Sequence, residues 1–283
     1  MENKKIVIIG AGLMGCATAL DVAWHGYQVI LKDISTDILS KAKKNIRREY
    51  RSTCMLNKDY LATNLDTIFN RISFQTDYEN IEHADIVIEN ISEDISQKTS
   101  EYRYLAEKCK PDVLFALNTS CISITKLASF LPNPTKVIGT HLMNPVPLKE
   151  MVEVIRGYHT SQETEAEIVS FLKTLGKKPI VINDLPGFVS NRLSHLFMNE
   201  AAFLVQDGIA TAEQIDNIIK QGFNHKMGPL ETADLIGLDT VMNSLDVLYQ
   251  SYQDPKYRCC PLLRKMVDAG LLGYKSGQGF YKY

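Results

Sequence analysis

The sequence has little that would hold a metal, cross a bilayer or staple an extracellular scaffold. Its six cysteines, Cys16, Cys54, Cys109, Cys121, Cys259 and Cys260, form no CxxC pair and no other zinc spacing, so no metal site is expected. Thiols so scattered read as free side chains of a reducing cytosol. No apolar run approaches the ~18 residues that a bilayer span requires. The opening residues lead straight into a short apolar run, 6–9, that ends in glycine, which is not the form of a secretory signal. A cytoplasmic protein with no membrane partner is expected. An excess of one charge is also missing. The 31 lysines and arginines against 33 aspartates and glutamates leave a net charge of -2. That balance gives no global pull toward nucleic acid, and leaves any anionic ligand to local geometry.

What is present is an alternation of short β-rich runs and helical stretches. Candidate strands are 5–9, 28–32, 86–89, 113–117, 137–140, 152–155 and 179–182. The first four are almost continuously apolar, as strands covered on both faces of a parallel sheet must be. The succession predicts an α/β domain with a Rossmann-like, doubly wound and mostly parallel sheet. Thr160, three residues before Glu163, has the spacing of a capping box, with Gly176 closing the helix. Thr211 and Gln214 repeat the pattern, with Gly222 as the stop. The character changes at Asp184-Leu-Pro-Gly187. Beyond it Leu193, Leu196, Phe197, Ala201 and Leu204 recur at helical spacing, and no strand is evident. Residues 1–186 are therefore expected to form the nucleotide-binding domain, and 187–283 a smaller all-helical domain.

Gly10-Ala-Gly12-Leu13-Met14-Gly15 follows the first strand and opens a helix. In that context GxGxxG is a dinucleotide fingerprint. Gly10 permits the turn, Gly12 lets a pyrophosphate reach the backbone, and Gly15 lets helix and strand pack closely. The helix start offers unpaired N–H groups and partial positive charge to the phosphates. Asp33 ends the second strand 18 residues past Gly15. A carboxylate there accepts hydrogen bonds from ribose hydroxyls and repels a 2′-phosphate, which points to NAD. The adjoining Lys32 weakens the preference over NADP.

Polar residues stand where apolar filling would be expected in four segments. They are Asn118-Thr119-Ser120, His141-Leu-Met-Asn144-Pro, Glu153 within 151–155, and Asn191-Arg192. The first two follow candidate strands, at the carboxyl ends where an open α/β sheet binds ligands. A carboxylate at 153 must be exposed or paired, and pairing with His141 would orient the imidazole and stabilise its charged form. Each part alone has a plain structural reading. Together, beside a dinucleotide loop, they make a base, an orienter and hydrogen-bond donors.

Over essentially its whole length the chain resembles the L-3-hydroxyacyl-CoA dehydrogenases, especially the 3-hydroxybutyryl-CoA dehydrogenase type. The resemblance is carried by GAGLMG at 10–15, NTS at 118–120, HLMNPVPLKEMVEVI at 141–155, DLPGFVSNR at 184–192, MGPLE at 227–231, GLD at 237–239 and GYKSGQGFYKY at 273–283. It implies that His141 is the general base, Glu153 its orienter, and Ser120, Asn144 and Asn191 contacts of the reacting oxygen or the nicotinamide. It implies further cofactor contacts at Asn118, Glu93, Lys98 and Lys275. It also implies a helical domain that completes the cleft and forms a homodimer.

The departures fall on the substrate side. Cys121 replaces a usual second serine, and Leu142 and Met143 replace two phenylalanines. The serine and lysine that contact coenzyme A in the family fall at Glu49 and Leu56, so that contact is not carried over. The same helix carries Lys44, Arg47 or Arg48, and Arg51 on one face. That face reads as solvated surface, as a replacement phosphate site, or as a dock for an acidic acyl carrier protein. The substrate is thus an acyl thioester of coenzyme A or, alternatively, of a carrier protein. A non-catalytic NAD-binding relative is disfavoured by the His141–Glu153 pair. A sugar-acid or hydroxy-acid dehydrogenase is disfavoured because its usual lysine base has no counterpart in the NTS and HLMNP segments.

Overall fold

The computed structural model describes residues 4–283. The first three residues of the opening segment, read above as leading into the first strand, lie outside the described residues. The chain divides into two compact units, one ending at Leu185 and one spanning Pro186–Tyr283.

Among its described residues the first unit is built on eight strands: β1 (Lys5–Ile9), β2 (Gln28–Lys32), β3 (Ile72–Gln75), β4 (Ile86–Glu89), β5 (Leu114–Leu117), β6 (Val137–Leu142), β7 (Met151–Arg156) and β8 (Lys178–Asn183). Its helices are α1 (Leu13–Trp24), α2 (Thr36–Leu56), α3 (Leu65–Asn70), α4 (Ile95–Lys108), α5 (Ile124–Ala128) and α6 (Gln162–Thr174). The strand order is β3-β2-β1-β4-β5-β6-β7-β8. All neighbours run parallel except β6 and β7, which are antiparallel. The order therefore reverses between β1 and β4, and the crevice beyond their carboxyl ends is the place where such sheets bind ligands.

The continuous apolar runs are explained by burial on both faces. Ile6, Val7, Ile8 and Ile9 are all buried. One face of the sheet shares a core with Leu20 of α1, Ala42 and Ile46 of α2, and Phe171 of α6. β3 is absent from the strands expected from sequence. It is a short edge strand, Ile-Ser-Phe-Gln, with only Ile72 buried. β6 runs on to Leu142, so His141 lies within the strand rather than after it.

Helix ends follow local chemistry with two corrections. Ser161, not Thr160, caps α6 by accepting from Thr164 N, because the Thr160 hydroxyl is committed to the Val137 carbonyl. Asp184 of the Asp-Leu-Pro-Gly segment accepts from Ile124 N at 3.0 Å and Thr125 N at 2.7 Å, satisfying the start of α5.

The second unit contains α7 (Ser190–Gln206), α8 (Ala212–Phe223), α9 (Pro229–Ile236), α10 (Leu238–Tyr252) and α11 (Pro261–Asp268), and among its described residues no extended strand. Thr211 and Gln214 form the expected capping box of α8. The helix passes through Gly222 and ends at Asn224, whose φ of 57° supplies the left-handed residue instead. Two buried carboxylates tie the C-terminal segment down. Asp234 accepts from Phe280 N at 3.0 Å and Tyr281 N at 2.9 Å. Asp216 accepts from Leu230 N, Glu231 N and the Tyr281 hydroxyl. On α7 the buried residues include His195, Met198, Asn199, Ala201 and Ala202. The stripe inferred from spacing is only partly core, since Leu193 is 65% exposed and Phe197 is also exposed.

Candidate active site

The glycine loop has the close packing its sequence requires. Gly10 has φ +95°, a backbone region that L side chains rarely adopt. A Cβ on Gly15 would lie 1.8 Å from the Gly10 carbonyl oxygen, so only glycine lets α1 approach the turn. A Cβ on Gly12, by contrast, would meet nothing within 4 Å, which leaves open space before the first N–H groups of α1, Leu13 and Met14 among them. Asp33 reaches across to this loop. Its Oδ2 accepts from Ala11 N at 2.6 Å and its Oδ1 from Ile34 N at 2.7 Å. A cleft of ≈ 710 Å³ opens here, its wall including Gly10, Gly12, Asp33, Ile34, Asn90 and Tyr104. Backbone N–H groups at a helix start, a carboxylate at the second strand end and an apolar wall for a ring are the parts an adenine dinucleotide needs.

The antiparallel reversal creates the second feature. In the β6–β7 register His141 stands directly opposite Glu153. Their side chains meet, with His141 Nδ1 2.7 Å from Glu153 Oε2. Both are buried, so the carboxylate acts on the ring in a medium where charge is weakly screened. The reading that a carboxylate at 153 must be paired is met by the histidine. Asn144 stands exposed two residues past the end of β6, and its peptide bond to Pro145 is cis.

A web of side chains holds the segments beside this pair. Asn118 donates from Nδ2 to Asn90 Oδ1 at 2.6 Å and accepts from Leu142 N at 3.4 Å. It thus ties the end of β5 to the loop after β4 and to β6. Glu93 Oε1 accepts from the Thr119 hydroxyl, Ser120 N and Cys121 N at 2.5, 2.8 and 3.0 Å, and its side chain remains 35% exposed. Lys98 is placed otherwise than a direct cofactor contact requires. Its side chain is 0% exposed and its ammonium lies 2.7 Å from Glu89 Oε2 and 3.9 Å from Glu93 Oε2. Tyr102 donates to the same Glu89 carboxylate at 2.6 Å. Burial pushes the Glu89 carboxyl above its ordinary range, against the pull of Lys98, Tyr102 and the Ile91 N–H. Lys98 thus meets the cleft through neighbours: Glu89, which accepts from Ile91 N at 2.7 Å, and Glu93.

Asn191 and Lys275 belong to the second unit. Asn191 is the second residue of α7, and its carbonyl oxygen lies 2.8 Å from His195 Nδ1. Lys275 is ion-paired with Asp239, Nζ to Oδ2 at 2.7 Å.

Sequence reasoning missed one wall of the cleft: Asn90, Ser92, Ser96, Gln97, Ser100, Glu101 and Tyr104. The signal was available. The polar residues 96, 97, 100, 101 and 104 recur at helical spacing on α4, the helix that follows the strand at the order reversal. Among the described residues no group of three His, Cys, Asp or Glu side chains could hold a metal ion. No described helix is long and apolar enough to cross a membrane.

The profile described as 3-hydroxyacyl-CoA dehydrogenase, NAD binding domain, matches residues 5–185, and that of the C-terminal domain matches residues 187–283. A probable 3-hydroxybutyryl-CoA dehydrogenase of Bacillus subtilis is 44% identical, with 100% of this chain and 98% of the relative covered. A probable 3-hydroxybutyryl-CoA dehydrogenase of Deinococcus radiodurans is 46% identical, with 99% and 100% covered. Among solved structures, (S)-3-hydroxybutyryl-CoA dehydrogenase from Ralstonia eutropha matches with a TM-score of 0.91 at 38% identity, 99% of each chain being covered.

Proposed function

Because the chain belongs to the 3-hydroxyacyl-CoA dehydrogenase family and carries its NAD binding domain, we propose that it interconverts 3-hydroxybutyryl-CoA and acetoacetyl-CoA. The observation that carries this reading is the buried His141–Glu153 pair at 2.7 Å.

His141 is the general base. It takes the 3-hydroxyl proton at Nε2 and returns it there in the reverse direction. Glu153 accepts at Nδ1, which fixes the ring, and its negative charge stabilises the imidazolium once the proton has moved. Ser120, Asn144 and Asn191 orient the reacting oxygen and the nicotinamide, so that the hydroxyl is delivered to the base at hydrogen-bonding distance. Gly12, Leu13 and Met14 face the pyrophosphate, Gly10 and Gly15 hold the turn that presents them, and Asp33 takes the adenosine ribose. Glu93, Asn118 and Lys275 complete the cofactor contacts. NAD, when bound, supplies the acceptor for the hydride released at C3.

The coenzyme A thioester is favoured over the carrier-protein thioester because the relatives are named for the former. The exposed basic face of α2, with Lys44, Arg48 and Arg51, has the charge that nucleotide phosphates would need. A homodimer is supported by the second unit, where an apolar groove of ≈ 470 Å³ is lined by Leu193, Phe197, Ile219 and Phe223. Monomers rarely leave such a surface uncovered. A cytoplasmic location fits six cysteines of which none is in a disulfide among the described residues.

The test is NADH oxidation by the purified chain with acetoacetyl-CoA and with the same acyl group on a carrier protein. Turnover is expected with the coenzyme A thioester and far less with the other. Tight NADH binding with no turnover of either thioester overturns the enzymatic reading.

A further inference from the structure

The cleft described above has an unusual charge pattern at its adenosine end. Among the described residues its wall carries two carboxylates, Asp33 and Glu101, and no lysine or arginine. Yet a basic residue stands beside Asp33 in sequence. Lys32 is the last residue of β2, and at that position an accessible ammonium would attract a 2′-phosphate.

The structure withdraws it. The Lys32 side chain is buried. Its ammonium donates to the Tyr78 hydroxyl at 2.7 Å and to Glu101 Oε1 at 3.2 Å. It also lies 4.0 Å from the centroid of the Tyr78 ring, a favourable placement for a cation against an aromatic face. The Tyr78 hydroxyl in turn donates to both Glu101 oxygens at 2.9 Å. The three groups come from β2, the segment after β3, and α4, so the cluster is closed by tertiary structure and not by one element.

A strut between β2 and α4 could have been built with any paired charges. Here the acid of the pair also lines the cleft, and the base it captures is the neighbour of Asp33. We infer that Glu101 and Tyr78 set the preference for NAD over NADP by holding Lys32 away from the adenosine ribose. The charges decide the sign. Asp33 and Glu101 together outweigh Lys32 by one negative charge, so a 2′-phosphate entering this end meets repulsion. Neutralising Glu101 removes one repelling charge and releases one attracting charge at the same time. Asp33 is then a shared determinant.

This inference rests on the cleft being the adenosine site, and the experiment separates the two. The ratio of kcat/KM with NADPH to that with NADH is measured, with acetoacetyl-CoA, for the parent and for Glu101→Gln, Lys32→Met/Glu101→Gln and Asp33→Ala. Glu101→Gln is expected to raise the ratio about tenfold, as suits the loss of one like charge near a partly solvated phosphate. The double variant is expected to fall back toward the parent, because the released ammonium is gone. If Asp33→Ala moves the ratio and Glu101→Gln leaves it within about twofold, the inference fails and the site reading stands. If neither variant moves it, the site reading fails as well. Should Glu101→Gln fold poorly by its thermal transition, Tyr78→Phe keeps the ring and removes the bridging hydroxyl. A smaller shift in the same direction is then expected, and no shift refutes the inference.

Discussion

Replacing Glu153 by glutamine keeps the side chain's size and removes its charge, which isolates what the carboxylate does for His141. The pair is buried and its contact is 2.7 Å, short enough for a charge-assisted hydrogen bond. Such bonds contribute ~1.5–3 kcal/mol. The benefit grows as the imidazole becomes cationic, so most of it belongs to the transition state. At about 1.4 kcal/mol per decade this is a loss of roughly 10- to 150-fold in turnover. A second effect adds to it. A glutamine that turns its amide –NH₂ toward Nδ1 forces the ring hydrogen onto Nε2, where the base must be vacant. The combined expectation is a fall in kcat of ~10²–10³-fold, read as acetoacetyl-CoA-dependent loss of NADH absorbance. Binding of NADH, followed by its fluorescence, is expected to persist. Because the two residues act as one device, Glu153→Gln in a His141→Gln background should cost little more than His141→Gln alone. A Glu153→Gln enzyme within about fivefold of the parent, or losses that simply add, would refute the argument.

Gly15→Ala is expected to lose both stability and NADH affinity, since the new Cβ would sit 1.8 Å from the Gly10 carbonyl oxygen. The cost is roughly 1–3 kcal/mol, measurable as a lower denaturant midpoint, and an unchanged midpoint contradicts the close packing of α1. In the second unit the hydrogen bond from Lys220 lowers the Glu231 carboxyl below its ordinary value of 4.5. A group with a depressed folded value adds stability above its unfolded value and loses it as pH falls through the folded one. Glu231→Gln is therefore expected to be less stable than the parent by ~0.5–1 kcal/mol at neutral pH. The gap should close on acidification below about pH 4. Thermal melts of both proteins across that range decide it, and a gap that widens in acid contradicts the assignment.

The central strands were legible because burial on both faces leaves a continuous apolar run, as Ile6 to Ile9 illustrate. β3 was not, because an edge strand needs only one buried face and Ser73 is exposed. The fingerprint glycines and Asp33 could be placed from sequence, since their spacing is imposed by a strand, a turn and a helix in succession. The meeting of His141 and Glu153 could be suspected from sequence, and no more than that. Their contact depends on the register of an antiparallel pair, and periodicity within one strand carries no register. Lys98 was assigned to the cofactor by resemblance alone, and its burial was not foreseen. The clue was Glu89, an acid closing the otherwise apolar strand Ile-Val-Ile-Glu, which had to find a cation inside the protein. The cluster of Lys32, Tyr78 and Glu101 joins residues 46 and 69 positions apart, and no local pattern predicts it.

The antiparallel pairing of β6 with β7 has a bearing on how this chain can change over generations. His141 and Glu153, the proposed base and its orienter, sit only 12 residues apart, on neighbouring strands joined without a crossover helix. Lengthening the connection between those strands would leave the two side chains facing one another. Adding or removing a single residue inside either strand would turn one of them to the opposite surface of the sheet. Tolerance to insertion here is thus all or nothing, and a boundary one residue wide separates a silent event from a dead enzyme.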